Sequence, residues 1–293
     1  MSIPSKIVSA DINFKDPSSK QYKPILDEVI NLVAKETNKP KEEIEKLFDK
    51  IYTKAKSNPG IAFPLRSSVF QLIDLLPPDK IPIEISLDEI DKVYNYIRIY
   101  IQMFRRIRDI FSGKIIRPVV IFVPNPLLDE NSSFNSVTTG SASPNGDLIF
   151  NVNFIKKLVY IAELELKYKI IKIKSKIFES NGGKIQDKYV YVAFLIIHEL
   201  FHLVQSDVEY LDKRAIQYIC KNKEKYKATK NIPKTNCENN PLTLQIANQI
   251  QNIVADYFNN YNICRLGLPA LPIGLFSNEI NLEHMTYEQA YDV

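Results

Sequence analysis

The sequence predicts an α+β fold, mainly helical with a small β-sheet and an N-terminal helical extension, from three observations. Apolar residues at three- and four-residue spacing dominate most of the chain. Two short β-branched runs, IIRPVVIFVP and DLIFNVNF, stand on either side of a Ser/Asn/Thr-rich connection. Apolar residues are 45% and charged residues 25% of 293, enough for a core without cross-links. The expected organisation is a helical extension over residues 1–112 and an α+β domain over 113–293.

The elements follow in order. KPILDEVINLVAKE and KEEIEKLFDKIYTKAK read as packing helices, the second with Pro40 and early glutamates at its N-terminus. The proline-bearing NPGIAFPLRSSVFQLIDLLPPDKIPIEI follows, and Ser86 then caps a long helix, SLDEIDKVYNYIRIYIQMFRRIRDIF. Its Arg105, Arg106 and Arg108 form a charge cluster of the kind that usually faces solvent. Ile115–Pro124 reads as a strand, LDENSSFNSVTTGSASPNG as a loop or loose hairpin connection ending in the Asn145-Gly146 turn signal, and DLIFNVNF as a second strand. A helix is expected from Ile155 to about Glu179, stopped by the glycines of NGGK.

Composition narrows the function classes. A net charge of +4 is the small difference between 38 basic and 34 acidic side chains, so nothing marks a nucleic-acid or membrane-surface protein. The N-terminus lacks the apolar core of a signal peptide, and no run approaches a membrane span, so a cytoplasmic location is expected. Three widely spaced cysteines, Cys220, Cys237 and Cys264, fit a reducing compartment with no disulfide framework, and the absence of CxxC argues against a cysteine zinc site. Abundant Lys, Ile, Asn and Tyr beside scarce Gly suggest an AT-rich genome.

The chemistry concentrates in VAFLIIHELFHLVQSD. Two of only three histidines, His198 and His202, stand four residues apart with Glu199 directly after the first. On a helix, positions i and i+4 share a face, so both imidazoles can reach one ion. Residue frequencies would place such an HExxH in this chain roughly once in a thousand cases. The surrounding residues are apolar almost all round, and a buried helix carrying two imidazoles and a carboxylate needs partners that a metal would supply. Glu199 then stands beside the ion, where a carboxylate can take a proton from activated water.

A catalytic zinc site normally takes three protein ligands. Gln205 and Val208 exclude the HExxHxxGxxH extension, and Asp207 sits one residue from where that pattern needs a ligand, about 100° round the helix. In IANQIQNIVADYFNNYNICRLGLP, a polar stripe of Asn248, Asn252, Asp256 and Asn260 recurs every fourth residue, and Asp256 is its only acid. Asp256 is the expected third ligand, with a role orienting His198 as the alternative. Asn252 and Asn260 either satisfy neighbouring groups or support the site. Tyr257 and Tyr261 can supply a phenol to an oxyanion, and His284 reads as a surface residue.

NGDLIFNVNFIKKL, HELFH and NIVADYFNNYNICRLGLPALPIGLFSNEINLEHMTYEQAYD together resemble the metallopeptidase domain found ahead of von Willebrand factor A-like domains in bacterial and phage proteins. The likeness spans about Thr138 to Val293, with matching positions at Asn151, His198, Glu199, His202, Asn252, Asp256, Tyr257 and Asn260. It implies a zincin-like fold, a Zn2+ cofactor and a peptide or protein substrate, with Asn151, Asn252, Tyr257 and Asn260 near the metal or the substrate. That family often has a histidine where Asp207 stands, and KNKEKYKATKNIPKTNCENNP reads as an insertion. No von Willebrand factor A-like segment follows within these residues.

The expected function is therefore a zinc metallopeptidase with Glu199 as general base. DLIFNVNF would be the edge strand that pairs with substrate. The alternative is a silent phage or mobile-element protein that retains the fold and associates with other phage or host proteins, in the host cytoplasm or virion. A nucleic-acid role rests only on the arginine cluster. A four-ligand site including Asp207 would favour the silent reading.

Overall fold

The computed structural model describes residues 16–58, 60–102, 120–123, 139–143, 147–179, 185–205, 213–226, 230, 232, 233 and 236–276. The first helix, α1 (Ser19–Thr37), begins in a capping box, with Ser18 and Gln21 exchanging side-chain-to-backbone hydrogen bonds, and ends at Asn38 in the left-handed conformation. In α2 (Lys41–Lys56), Glu42 and Glu43 occupy the first turn and Lys54 and Lys56 the last, which complements the helix dipole.

The proline-bearing stretch holds an element that its composition hides. Pro64 starts α3 (Pro64–Ile73), where a missing N–H costs nothing, and Asp16 accepts from the N–H groups of Leu65 (2.7 Å) and Arg66 (3.4 Å). The next helix, α4, covers Leu87–Gln102. The arginine cluster and the expected boundary at 112 lie outside the described residues.

The sheet has three strands, β1 (Val120–Val123), β2 (Gly140–Ala142) and β3 (Leu148–Asn151), in the order β1-β3-β2. β1 runs parallel to β3, while β2 is antiparallel to it, with Gly140 opposite Phe150 and Ala142 opposite Leu148. The DLIFNVNF strand is thus central. One edge is β1, within the run read as a strand, and the other is β2, in a segment read as a loop or loose hairpin connection.

Asn151 ends β3 and caps α5 (Val152–Lys167), its Oδ1 accepting from the N–H groups of Asn153 (2.9 Å) and Phe154 (3.2 Å). The helix expected to run to Glu179 stops at Lys167, and Lys169 takes a positive φ of 57° without any glycine. The chain then extends, and Lys174 donates its N–H to Gly267 O at 3.1 Å. Gly267 has φ +84°, and a Cβ there would lie 2.7 Å from Lys174 backbone, so this close approach requires glycine. Long-range pairing has overridden helical periodicity.

α6 (Val190–Gln205) carries the HExxH motif through the centre of the molecule, with every residue from Val190 to Ile197 buried. One continuous core joins Tyr22 and Val29 of α1, Phe70 of α3 and Ile90 of α4 to Leu158 of α5 and Phe194 of α6. Within it, Glu165 of α5 receives Arg66 Nε and Nη2 at 2.8 Å each and the Tyr22 hydroxyl at 2.7 Å, and Tyr191 of α6 also donates to it. Removing either partner of such a buried pair would leave a charge uncompensated, a cost of about 3–5 kcal/mol.

A second, smaller core of Ala215, Ile219, Ala247 and Val254 joins α7 (Lys213–Lys221) to α8 (Pro241–Arg265). Here the cysteine expectation is corrected. Cys220 is bonded to Cys237 across 17 residues, with Cα atoms 5.7 Å apart, and Cys264 alone is a buried free thiol. An odd total conceals a pair that joins the end of α7 to the segment just before α8. Such a bond persists in oxidising surroundings, which removes the support the cysteines lent to a reducing compartment. For a loop of this size it contributes about 3 kcal/mol. Thiol titration of the denatured chain should find one thiol before reduction and three after it; three before reduction would disprove the pairing.

Candidate metal centre

α8 packs against α6 and brings the polar stripe to the histidines. His202 Nε2 lies 3.0 Å from His198 Nε2 and 3.0 Å from Asp256 Oδ1, and His198 Nε2 lies 3.2 Å from the same oxygen. Ligands about 2.1 Å from a tetrahedral ion stand roughly 3.4 Å apart, so this triangle is close to the spacing one bound metal imposes. Each residue offers a ligand atom, and together they could hold a metal ion.

Proton bookkeeping supports that fit. Asn260 Nδ2 donates to Leu275 O (3.0 Å), which turns its Oδ1 toward His198 Nδ1 (2.8 Å). His198 therefore carries its proton on Nδ1 and directs the Nε2 lone pair at His202 and Asp256. A cation satisfies all three facing groups at once. Burial pushes the Asp256 pKa up, but hydrogen bonds from His198 and His202 outweigh it and leave it lowered to about 2.

Glu199 is 6% exposed. Burial raises its pKa above the usual carboxylate value; His198 and His202 oppose the rise, Asp256 adds to it, and a hydrogen bond from the Ala142 backbone opposes it. A Cβ on Gly140 would come 3.0 Å from Glu199 Oε1, so β2 presses its backbone against this carboxylate. The nearby cleft has a volume of about 260 Å³. Its walls are Thr139, β2, the three polar residues of the motif, Asn252 and Asp256.

β2 also presents an open edge. Asn151 N–H donates to Thr139 O and Ser143 N–H to Asp147 O, so odd-numbered positions face β3. By the antiparallel alternation, the N–H and C=O groups of Gly140 and Ala142 point the other way, where no described strand pairs with them.

Of the residues expected at the site, the structure unites His198, Glu199, His202, Asp256 and Asn260, and places Asn252, an exposed residue, on the cleft wall. Asn151 is instead the buried cap of α5, and neither it nor Tyr257 lines the cleft. Asp207 and His284 lie outside the described residues. Sequence reasoning missed Gly140, Ser141 and Ala142. The available signal was a glycine before two small residues in a chain with only eight glycines. No described helix is long and apolar enough to cross a membrane. No family model, curated protein or solved structure matches the chain.

Proposed function

We propose that the chain is a zinc-dependent metallopeptidase with a zincin-like arrangement, holding the ion through His198, His202 and Asp256. The observation that carries this reading is the three-atom convergence beside the buried Glu199, at the wall of an accessible cleft. When bound, zinc supplies a Lewis acid that acidifies water and polarises a carbonyl.

The chain's own residues do the rest. The Gly140 backbone and the Ala142 carbonyl offer groups to an extended peptide, which would add as a further strand, while the Ala142 N–H stays with Glu199. Glu199, its carboxylate held by the Ala142 N–H, takes a proton from the attacking water and passes it to the leaving nitrogen. Asn260 keeps His198 in the tautomer that ligates. Among the described residues three ligand groups meet at the cleft and no fourth joins them, which favours catalysis over the silent staple, because a purely structural zinc site is closed by four protein ligands.

Elemental analysis of chelator-free protein, followed by incubation with denatured casein, tests the reading. About one zinc per chain with hydrolysis supports it. Zinc without hydrolysis of casein or a peptide library moves the staple to first place, and folded protein that takes up no zinc removes the metal site and leaves a structural protein with a buried HELFH helix as the first reading.

A further inference from the structure

We infer that Phe276 is a positioning residue for His198, and that through it the N-terminal third of the chain sets the proton on that imidazole. The inference rests on the metal-site reading but extends it to a region with no part in the ligand set. Asn260 can serve His198 correctly in only one amide orientation. The acceptor that fixes that orientation is the Leu275 carbonyl, 3.0 Å from Asn260 Nδ2. Were the amide to turn over, it would offer an N–H to Nδ1 and favour the proton on Nε2, taking away the lone pair the metal needs.

Leu275 is held by the ring that follows it. Phe276 is 3% exposed and packs on Phe63 (centroids 5.3 Å) and on Phe194 (6.2 Å), which lies one turn before His198 on α6. Gly274 makes room for it, since a Cβ there would come within 2.4 Å of Phe276 Cε2. The same segment is tied a second time to the N-terminal region, by Arg66 Nη2 donating to Ala270 O at 2.9 Å. Phe63 and Arg66 flank the start of α3. A path thus runs from Phe63, at the N-terminal end of α3, through the Phe276 ring, the Leu275 carbonyl and the Asn260 amide to the imidazole. Only its last member belongs to the proposed ligand set.

The test compares Phe276→Leu and Phe276→Ala with Phe70→Ala. Phe70 is equally buried on the same helix, but it stands about two turns beyond Phe63 and its ring packs on Phe154 of α5. Zinc affinity, from competition with a chromophoric chelator, should weaken about 10- to 100-fold in the Phe276 variants, the range for lost outer partners of metal ligands. It should change little in Phe70→Ala despite a comparable loss of thermal stability. Long-range 15N correlation spectra of metal-free protein, with three histidines to assign, supply an independent readout. His198 should be the Nδ1–H tautomer in wild type and shift toward Nε2–H in Phe276→Leu. Unchanged tautomer and affinity in folded Phe276→Leu would overturn the inference, as would equal weakening in Phe70→Ala. Failure of wild type to bind zinc would overturn the metal reading instead, while the tautomer experiment still judges the path.

Discussion

Asp256→Ala is expected to reduce zinc from about one per chain to well below one, with α6 and its two histidines intact. Asp256 Oδ1 is the point where both imidazoles meet, at 3.2 and 3.0 Å. Losing it leaves two ligands from a single helix turn, so the fall in affinity should exceed the roughly 100-fold seen when only an outer partner is lost. Hydrolysis should vanish with the metal. Charge matters as well as shape, so Asp256→Asn should also bind poorly. Because its native pKa is lowered to about 2, the carboxylate stays ionised through mild acid. Its contribution to metal-free stability is present above the ordinary value near 3.8 and fades as pH falls toward 2. Elemental analysis of folded Asp256→Ala beside wild type checks the loss of metal, and thermal melts of the two metal-free proteins between neutrality and pH near 3 check the stability statement. A full zinc complement in that variant would place the third ligand elsewhere, with Asp207 the first residue to examine.

The candidate ligands were legible because their signal is local. Positions 198 and 202 share a helix face by period alone, and Asp256 is the only acid on a stripe that otherwise carries amides. The direction of Asn260 follows from the same stripe. By contrast, β2 is three residues long, and its identity lies in pairing with β3 rather than in any periodicity of its own. Asn151 illustrates the ambiguity at a strand-to-helix junction, where one residue can end a ladder and cap a helix. Pro64 stands in a proline-bearing stretch to which the periodicity assigns no element, and it starts a helix. The end of α5 and the Cys220–Cys237 bond both depend on residues distant in sequence, Gly267 in one case and the segment just before α8 in the other. The N-terminal helices were predicted, but their burial against α5 and α6 through Arg66 and Glu165 was not, since an isolated arginine on an unpredicted helix carries no pairing information.

Glu199→Gln should separate binding from turnover. Glutamine keeps the size of glutamate and an oxygen able to accept the Ala142 N–H, so β2 and the cleft should be undisturbed and zinc should remain near one per chain. What it cannot do is accept a proton from water at neutral pH, and general-base losses of this kind run to about 10²- to 10⁴-fold. Stability supplies a second, opposite readout. Burial raises the native pKa of Glu199, so its ionised form is disfavoured by folding, and that penalty is present at neutral pH and absent once both states are protonated in acid. Metal-free Glu199→Gln should therefore melt at or above the wild-type temperature near neutrality, with any advantage shrinking as pH falls below the ordinary carboxylate value. Glu199→Ala provides the contrast, because it removes the acceptor that Ala142 uses and opens a space beside Gly140. Zinc-loaded Glu199→Gln with undiminished hydrolysis would take the proton-transfer role away from this residue. Loss of zinc in the same variant would instead make Glu199 part of what holds the ion.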